Sequence, residues 1–221
     1  MKILLSPAKS INFEIEVENP IKSQPIFLNQ SEKLIKKLRT LTTSKISKLM
    51  KVSDAISELN YNRFQNWELP FTEANSKSAA DIFTGAAYQG LDYPNLTAED
   101  RVEGQNRLRI LSGLYGVLKP LDLIQPYRLE MGTRFPTAAK ATNLYHFWDT
   151  KLGDVLNAEL ANDSSQFLVN VASHEYFKAA KLENLKFPVI TPIFKDRSKT
   201  GDYKVIMTFA KKARGLMTKY I

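Results

Sequence analysis

Asn143-Leu-Tyr-His-Phe-Trp-Asp-Thr-Lys-Leu-Gly-Asp-Val-Leu-Asn-Ala-Glu-Leu160, followed by Phe167-Leu-Val-Asn-Val-Ala172, sets the class of this protein. In the first segment Leu144, Phe147, Trp148, Leu152, Val155, Leu156 and Leu160 recur at helical spacing, which predicts one amphipathic helix. The second is a short, almost unbroken apolar run, the pattern of a strand buried on both faces. A helix leading into a buried strand recurs elsewhere. Residues 2–5 read as a buried strand ended by Ser6-Pro7, and Ala98 to Leu111 as a helix. Val189-Ile190 and Tyr203 to Phe209 read as strands, with Arg197 to Asp202 as a hairpin turn before the second, and Phe209 to Ile221 begins a basic helix.

Toward the N-terminus, residues 10–30, with Pro20 and Pro25, read as an irregular connection. Ser31 is placed to cap a helix through Arg39, with Leu34, Ile35 and Leu38 on one face. A turn from Thr40 to Thr43 leads to a second periodic segment carrying Ile46, Leu49 and Met50, and a third helix runs from Ser53 to about Phe64. Ala79 to Leu91 has no decided state. Interspersed helices and strands predict a mixed α/β (α+β) class: a single domain over residues 1–221 with a central mixed sheet surrounded by helices.

Composition narrows the function. The 221 residues are 43% hydrophobic and 24% charged, enough to build a core without disulfide or metal. There is no cysteine, which removes disulfides, thiolate metal sites and cysteine nucleophiles. Two histidines, His146 and His174, do not make a histidine-rich metal site, so no metal and no cofactor is expected. The N-terminal apolar run is too short for a signal peptide, and no stretch reaches the roughly 18 apolar residues of a membrane span, so the reading is cytoplasmic.

The net charge of +8 is unevenly distributed. Lys33 to Lys51 holds seven cations and no acid, and Tyr203 to Ile221 holds five more without an acid. Clustering of one sign is the footprint of a polyanion partner, although solvated basic helix faces produce it too.

Four blocks carry polar groups where ligands gather. Ser6-Pro-Ala-Lys9 follows the first strand, and Lys9 is either a phosphate contact or a solvent-exposed turn lysine. Leu111 to Asp122 has Gly113 and Gly116 in a tight turn flanked by Arg109 and Lys119. Such a turn can present backbone N–H groups to a DNA phosphate, loosely like the hairpin of a helix-hairpin-helix motif, or it can be a helix C-cap followed by a proline stop. In Gln125 to Gly132, Arg128 and Glu130 alternate in an extended stretch, so both point one way, either as an anion grip or as a structural ion pair. In Asn170 to Lys178, Glu175 is an acid/base candidate or the cap of a helix beginning there. No Walker loop, dinucleotide fingerprint, metalloprotease helix or nucleophile elbow is present.

Taken together, Leu5-Ser-Pro-Ala-Lys9, Ser112 to Gly132, Asn170 to Lys178 and Phe209-Ala-Lys-Lys-Ala-Arg-Gly-Leu-Met217 resemble the signature of the YaaA peroxide stress protein family, in the family's order and across the whole chain. The resemblance implies a cytosolic bacterial protein that limits hydrogen peroxide damage by lowering free intracellular iron. It also implies a mixed α/β fold of its own type, a helix-hairpin-helix element and DNA binding in a positively charged cleft. Carried over residue by residue, the hairpin falls on Ser112 to Gly116, and the cleft cations fall on Lys9, Arg128, Lys211, Lys212 and Arg214. Two departures stand out. The family's chains continue beyond the basic helix into a C-terminal segment, and His174 replaces a different short polar residue, so it receives no role.

The expected function is protection from peroxide stress by largely sequence-independent binding of duplex or distorted duplex DNA, with no membrane and no protein partner in evidence. DNA or phosphate contacts are expected from Lys9, Gly113, Gly116, Lys119, Arg128, Lys211, Lys212 and Arg214. The alternative is an enzyme acting on a small phosphorylated or nucleotide-like substrate in the same cleft, with Lys9 and Glu175 as its catalytic groups.

Overall fold

A computed structural model describes residues 1–17, 21–197 and 201–221. The N-terminal half runs β1 (Lys2–Leu5), β2 (Ser10–Ile11), α1 (Leu28–Leu38), α2 (Thr43–Met50), α3 (Asp54–Asn66), β3 (Lys77–Ser78), α4 (Ala79–Ile82), β4 (Phe83–Thr84) and α5 (Ala86–Leu91). Next come α6 (Ala98–Arg107), β5 (Leu108–Ser112), β6 (Gly116–Leu118), β7 (Leu123–Ile124), α7 (Leu144–Trp148) and α8 (Lys151–Ala161). The chain then passes through β8 (Leu168–Asn170), α9 (His174–Phe177), β9 (Val189–Ile190), β10 (Asp196–Arg197), β11 (Tyr203–Lys204) and α10 (Met207–Tyr220).

The mixed α/β class holds. The central sheet has the order β6-β5-β1-β8-β9, with four parallel strands and β6 antiparallel at one edge. Helices supply the rest of one apolar core, in which Leu4, Ile110 and Leu168 are wholly buried. Strands this apolar are stable only when covered on both faces, which is why their sequences run rather than alternate.

The sheet also fixes where a ligand can sit. β1 is central. The chain leaves β1 toward β5 on one side and leaves β8 toward β9 on the other. Connections that diverge from neighbouring parallel strands open a crevice at the carboxyl ends of those strands, here above Leu5 and Asn170.

Several boundaries differ from the sequence reading. The helix expected over Ala98 to Leu111 ends at Arg107, and Leu108–Ser112 is the strand beside β1, buried throughout. Arg109 disguises it: its Nε meets Glu159 Oε2 at 2.7 Å, and its Nη1 donates to the Gln105 and Leu108 carbonyls. The single helix expected over Asn143 to Leu160 is two, α7 and α8, separated by a turn at Asp149 (φ 47°). Buried Trp148 is anchored there through its Nε1, which donates to the Gly113 carbonyl at 3.0 Å.

Ser31 is not a cap. It lies inside α1 and donates its hydroxyl to the Phe27 and Leu114 carbonyls. The strand expected from Tyr203 to Phe209 stops at Lys204, and the basic helix begins at Met207. In the expected turn from Arg197 to Asp202, residues 198–200 lie outside the described residues, as does Pro20. The flanking strands do pair antiparallel, with Arg197 opposite Tyr203.

Two helix packings shape the surface. α2 and α3 pack on each other across a three-residue connection, 51–53, in which Lys51 is left-handed (φ 53°, ψ 53°). Thr42 caps α2 by accepting from the Lys45 amide, whereas the Ser53 hydroxyl makes no capping bond to α3. α10 lies against α5 so closely that a Cβ on Gly215 would fall 1.7 Å from the Ala87 carbonyl oxygen.

Candidate functional site

Three of the four motif blocks meet in the crevice above β1 and β8. The Ser6 hydroxyl oxygen accepts the Ser173 amide at 2.8 Å, and the two hydroxyls lie 3.3 Å apart. Tyr88, from α5, donates its hydroxyl to the Ser6 carbonyl at 3.0 Å. Lys9 Nζ lies 2.6 Å from Glu130 Oε2, and Arg128 Nη2 lies 3.1 Å from the other oxygen of the same carboxylate. The alternation of Arg128 and Glu130 does place both on one side, because Leu129 and Met131 between and after them are buried in the core.

Glu175 closes the group from β8's side. Its Oε1 accepts the Gly132 amide at 2.8 Å, and its own carbonyl accepts the Tyr145 hydroxyl. It does not cap α9, whose N-cap is Ser173. Its carboxylate ties the Asn170–Lys178 block to the Gln125–Gly132 block, as a clamp.

The balance of charge here is specific. Two cations share one carboxylate, and the Arg128 Nε is buried with no hydrogen-bond partner among the described residues. Tyr88, Tyr127 and Tyr176 lie beneath. Burial pushes all three hydroxyls above the ordinary tyrosine range, and for Tyr176 the Tyr127, Glu175 and Glu130 oxygens push the same way. All three are therefore neutral near neutral pH.

The basic stretch from Phe209 to Met217 divides. Arg214 is half-buried on the inner side of α10 and lines a cavity of about 260 Å³ with Asn170 and His174. His174, between Ser173 and Glu175 of the crevice in sequence, lines this cavity. Lys211 and Lys212 are exposed and do not line that cavity.

The glycine turn is a correction. Ser112 to Gly116 forms a β-hairpin between β5 and β6, not the hairpin between two helices, and it is buried. The Leu114 and Tyr115 amides already bond the Ser112 hydroxyl oxygen, and a Cβ on Gly113 would fall 2.2 Å from the Leu129 carbonyl oxygen. Gly116, at φ +74°, is packed against Phe27 and Trp148. Enclosed on all sides, Gly113 and Gly116 cannot meet a phosphate. Lys119 belongs to the next turn, where its amide donates to buried Asp122.

The pair of helices that does form a hairpin, α2 and α3, was legible piece by piece but not as a unit. Its exposed lysines, Lys45, Lys48 and Lys51, have no carboxylate in ion-pair range among the described residues. By contrast Arg39, from the same run, is used internally and donates to the Phe64 and Gln65 carbonyls. Among the described residues no helix is long and apolar enough to cross a membrane, and no three His, Cys, Asp or Glu side chains group as a metal site.

Comparison with known proteins extends over the whole chain. Residues 1–221 match the family described as "Peroxide stress protein YaaA". A UPF0246 protein of Dechloromonas aromatica (strain RCB) is 51% identical over 220 residues, covering 100% of this chain and 85% of the relative. One from Shewanella pealeana is 51% identical over 221 residues with the same coverage, and one from Janthinobacterium sp. (strain Marseille) is 50% identical over 220 residues, covering 84% of its length.

Proposed function

The chain belongs to the YaaA peroxide stress protein family, and from that premise we propose that it acts in the cytoplasm by coating DNA, without sequence preference, through the α2–α3 helical hairpin. The carrying observation is the exposed, acid-free α2 surface with Lys45, Lys48 and Lys51. We read this pair as the helix-hairpin-helix element. Lysines on one short helix and its outgoing turn supply point charges to successive phosphates, and the uncapped first turn of α3 offers backbone amides beside them. Asp54 and Glu58 on α3 are the nearest acids in sequence and bound the surface on that side. Lys211 and Lys212 on α10 are further exposed cations without a carboxylate partner among the described residues.

Binding of this kind releases the cations condensed on DNA. Ferrous ions held at phosphates would be displaced with the rest. Protection from iron-dependent damage then follows from occupying the phosphates rather than from storing the metal.

Salt-titrated binding to a random-sequence duplex tests the reading. With about five cations on phosphates, log K should fall against log salt with a slope near −4 to −5. Absent or salt-insensitive binding would rule it out.

A second reading is favoured by the crevice itself. Ser6, Lys9, Arg128, Glu130 and Glu175 surround the divergence of β1 and β8, where α/β proteins hold small phosphorylated or nucleotide-like substrates. In that case Lys9 and Glu175 are the groups whose loss would abolish turnover while leaving DNA binding intact.

A further inference from the structure

The cavity at Arg214 is a different kind of place from both the lysine surface and the Lys9–Glu130–Arg128 cluster. It is walled by the end of β8, the segment after β9, Val205 and the inner face of α10. Phe177, Ile193, Phe194 and Val205 make its sides apolar, and no acidic residue lines it.

Into this setting the fold places a guanidinium. Arg214 is half-buried, and burial lowers its pKa, which records that the cation has lost water. Among the described residues no carboxylate lies within ion-pair distance of it. Among the described residues its guanidinium makes no hydrogen bond; the Thr218 hydroxyl donates to its backbone carbonyl instead. A partly desolvated arginine without a counter-ion is costly, and the cost is recovered when an anion arrives.

The polar groups around it are also suited to an anion. Asn170 Oδ1 is committed to the Ala172 amide at 3.1 Å, which turns Nδ2 toward Thr191 at only 3.4 Å, a long contact that leaves donor capacity. Thr191 and His174 line the same space. Glu175, which follows His174 in sequence, has its carboxylate bonded to the Gly132 amide.

We propose that Arg214 anchors a binding site for a small oxyanion carried on an apolar body, a phosphate monoester or a carboxylate. The guanidinium takes two anion oxygens side by side, with Asn170 and Thr191 as further partners, and the apolar walls hold the remainder of the molecule. The site is independent of the DNA surface. A nucleic-acid backbone is disfavoured as occupant because a phosphodiester brings no apolar body to meet Ile193, Phe194 and Val205.

The test is isothermal titration of the whole chain with phenyl phosphate, benzoate and inorganic phosphate. Saturable one-to-one binding of phenyl phosphate or benzoate, at least tenfold tighter than inorganic phosphate, is expected. Arg214→Gln should weaken it by about tenfold to a hundredfold, the worth of a hydrogen bond to a charged group. Should that variant misfold, Ile193→Asp decides instead: Ile193 is 72% exposed, so an acid there is tolerated by the fold yet repels the anion. The triple variant Lys45→Gln/Lys48→Gln/Lys51→Gln should bind both probes as the parent does. The proposal is overturned if neither probe binds, if inorganic phosphate binds equally well, if a folded Arg214→Gln or Ile193→Asp binds unchanged, or if the triple lysine variant loses the probes. Failure of DNA binding alone leaves it standing.

Discussion

Gly215→Ala is expected to destabilise the protein by about 3 kcal/mol, the upper part of the usual range for forcing a group into a filled space. For a chain of this size that corresponds to a fall in melting temperature of roughly 6–12 °C. The reason is backbone against backbone. A Cβ at 215 would lie 1.7 Å from the Ala87 carbonyl oxygen and 2.8 Å from the Leu91 amide nitrogen. The reciprocal contact is as tight: a Cβ on Gly90 would lie 2.3 Å from the Lys212 carbonyl oxygen.

No rotamer change relieves such contacts, so α5 and α10 must move apart. α10 carries Arg214, and α5 carries Tyr88, which holds the Ser6 carbonyl. Loosened packing here would therefore also loosen the edge of the crevice. Urea denaturation of the variant beside Leu216→Ala, at a 52% exposed position on the same helix, checks the expectation. Equal stability of the two variants would show that the helices are not in contact as described.

The second large effect concerns binding. Replacing Lys45, Lys48 and Lys51 together with glutamine should cut duplex affinity on the order of a few hundredfold at 0.1 M salt. Each lost phosphate contact removes about 0.9 from the slope of log K against log salt, so three remove about 2.7. The fold should be indifferent, because all three side chains are exposed and glutamine is as good a helix former as lysine. Binding curves at several salt concentrations, with circular dichroism to confirm the fold, separate a lost surface from a lost structure. A Lys211→Gln/Lys212→Gln variant run in parallel measures the share borne by α10.

Some parts of the fold were legible in local sequence patterns. β1, β9 and the basic helix stand almost where those patterns place them. β5 was hidden because Arg109 lies within it and α6 runs into it without a breaker, so a helical period could be drawn across the junction. The break between α7 and α8 was hidden for the opposite reason, since apolar residues continue on both sides of Asp149.

The candidate site was legible as four blocks but not as an arrangement. Arg128 and Glu130 could be paired from their alternation. That Lys9 would join them depends on β1 lying at the centre of the sheet, and that Ser173 would meet Ser6 depends on β8 lying beside it. Neither neighbour relation is written in local periodicity.

The glycines at 113 and 116 belong to a turn between two strands. α2 and α3, by contrast, are joined through Lys51-Val52-Ser53, where a lysine adopts the left-handed conformation without any glycine. Glycine at 113 is required for the close approach of Leu129, a demand of packing and not of binding.

Amide hydrogen exchange with and without a short random-sequence duplex gives the most direct test of the proposed DNA surface. Slowed exchange over residues 43–57, the lysine-bearing helix and the open first turn of α3, is the expected result. Duplex binding that leaves exchange across those residues unchanged would contradict it and move the interface elsewhere on the molecule.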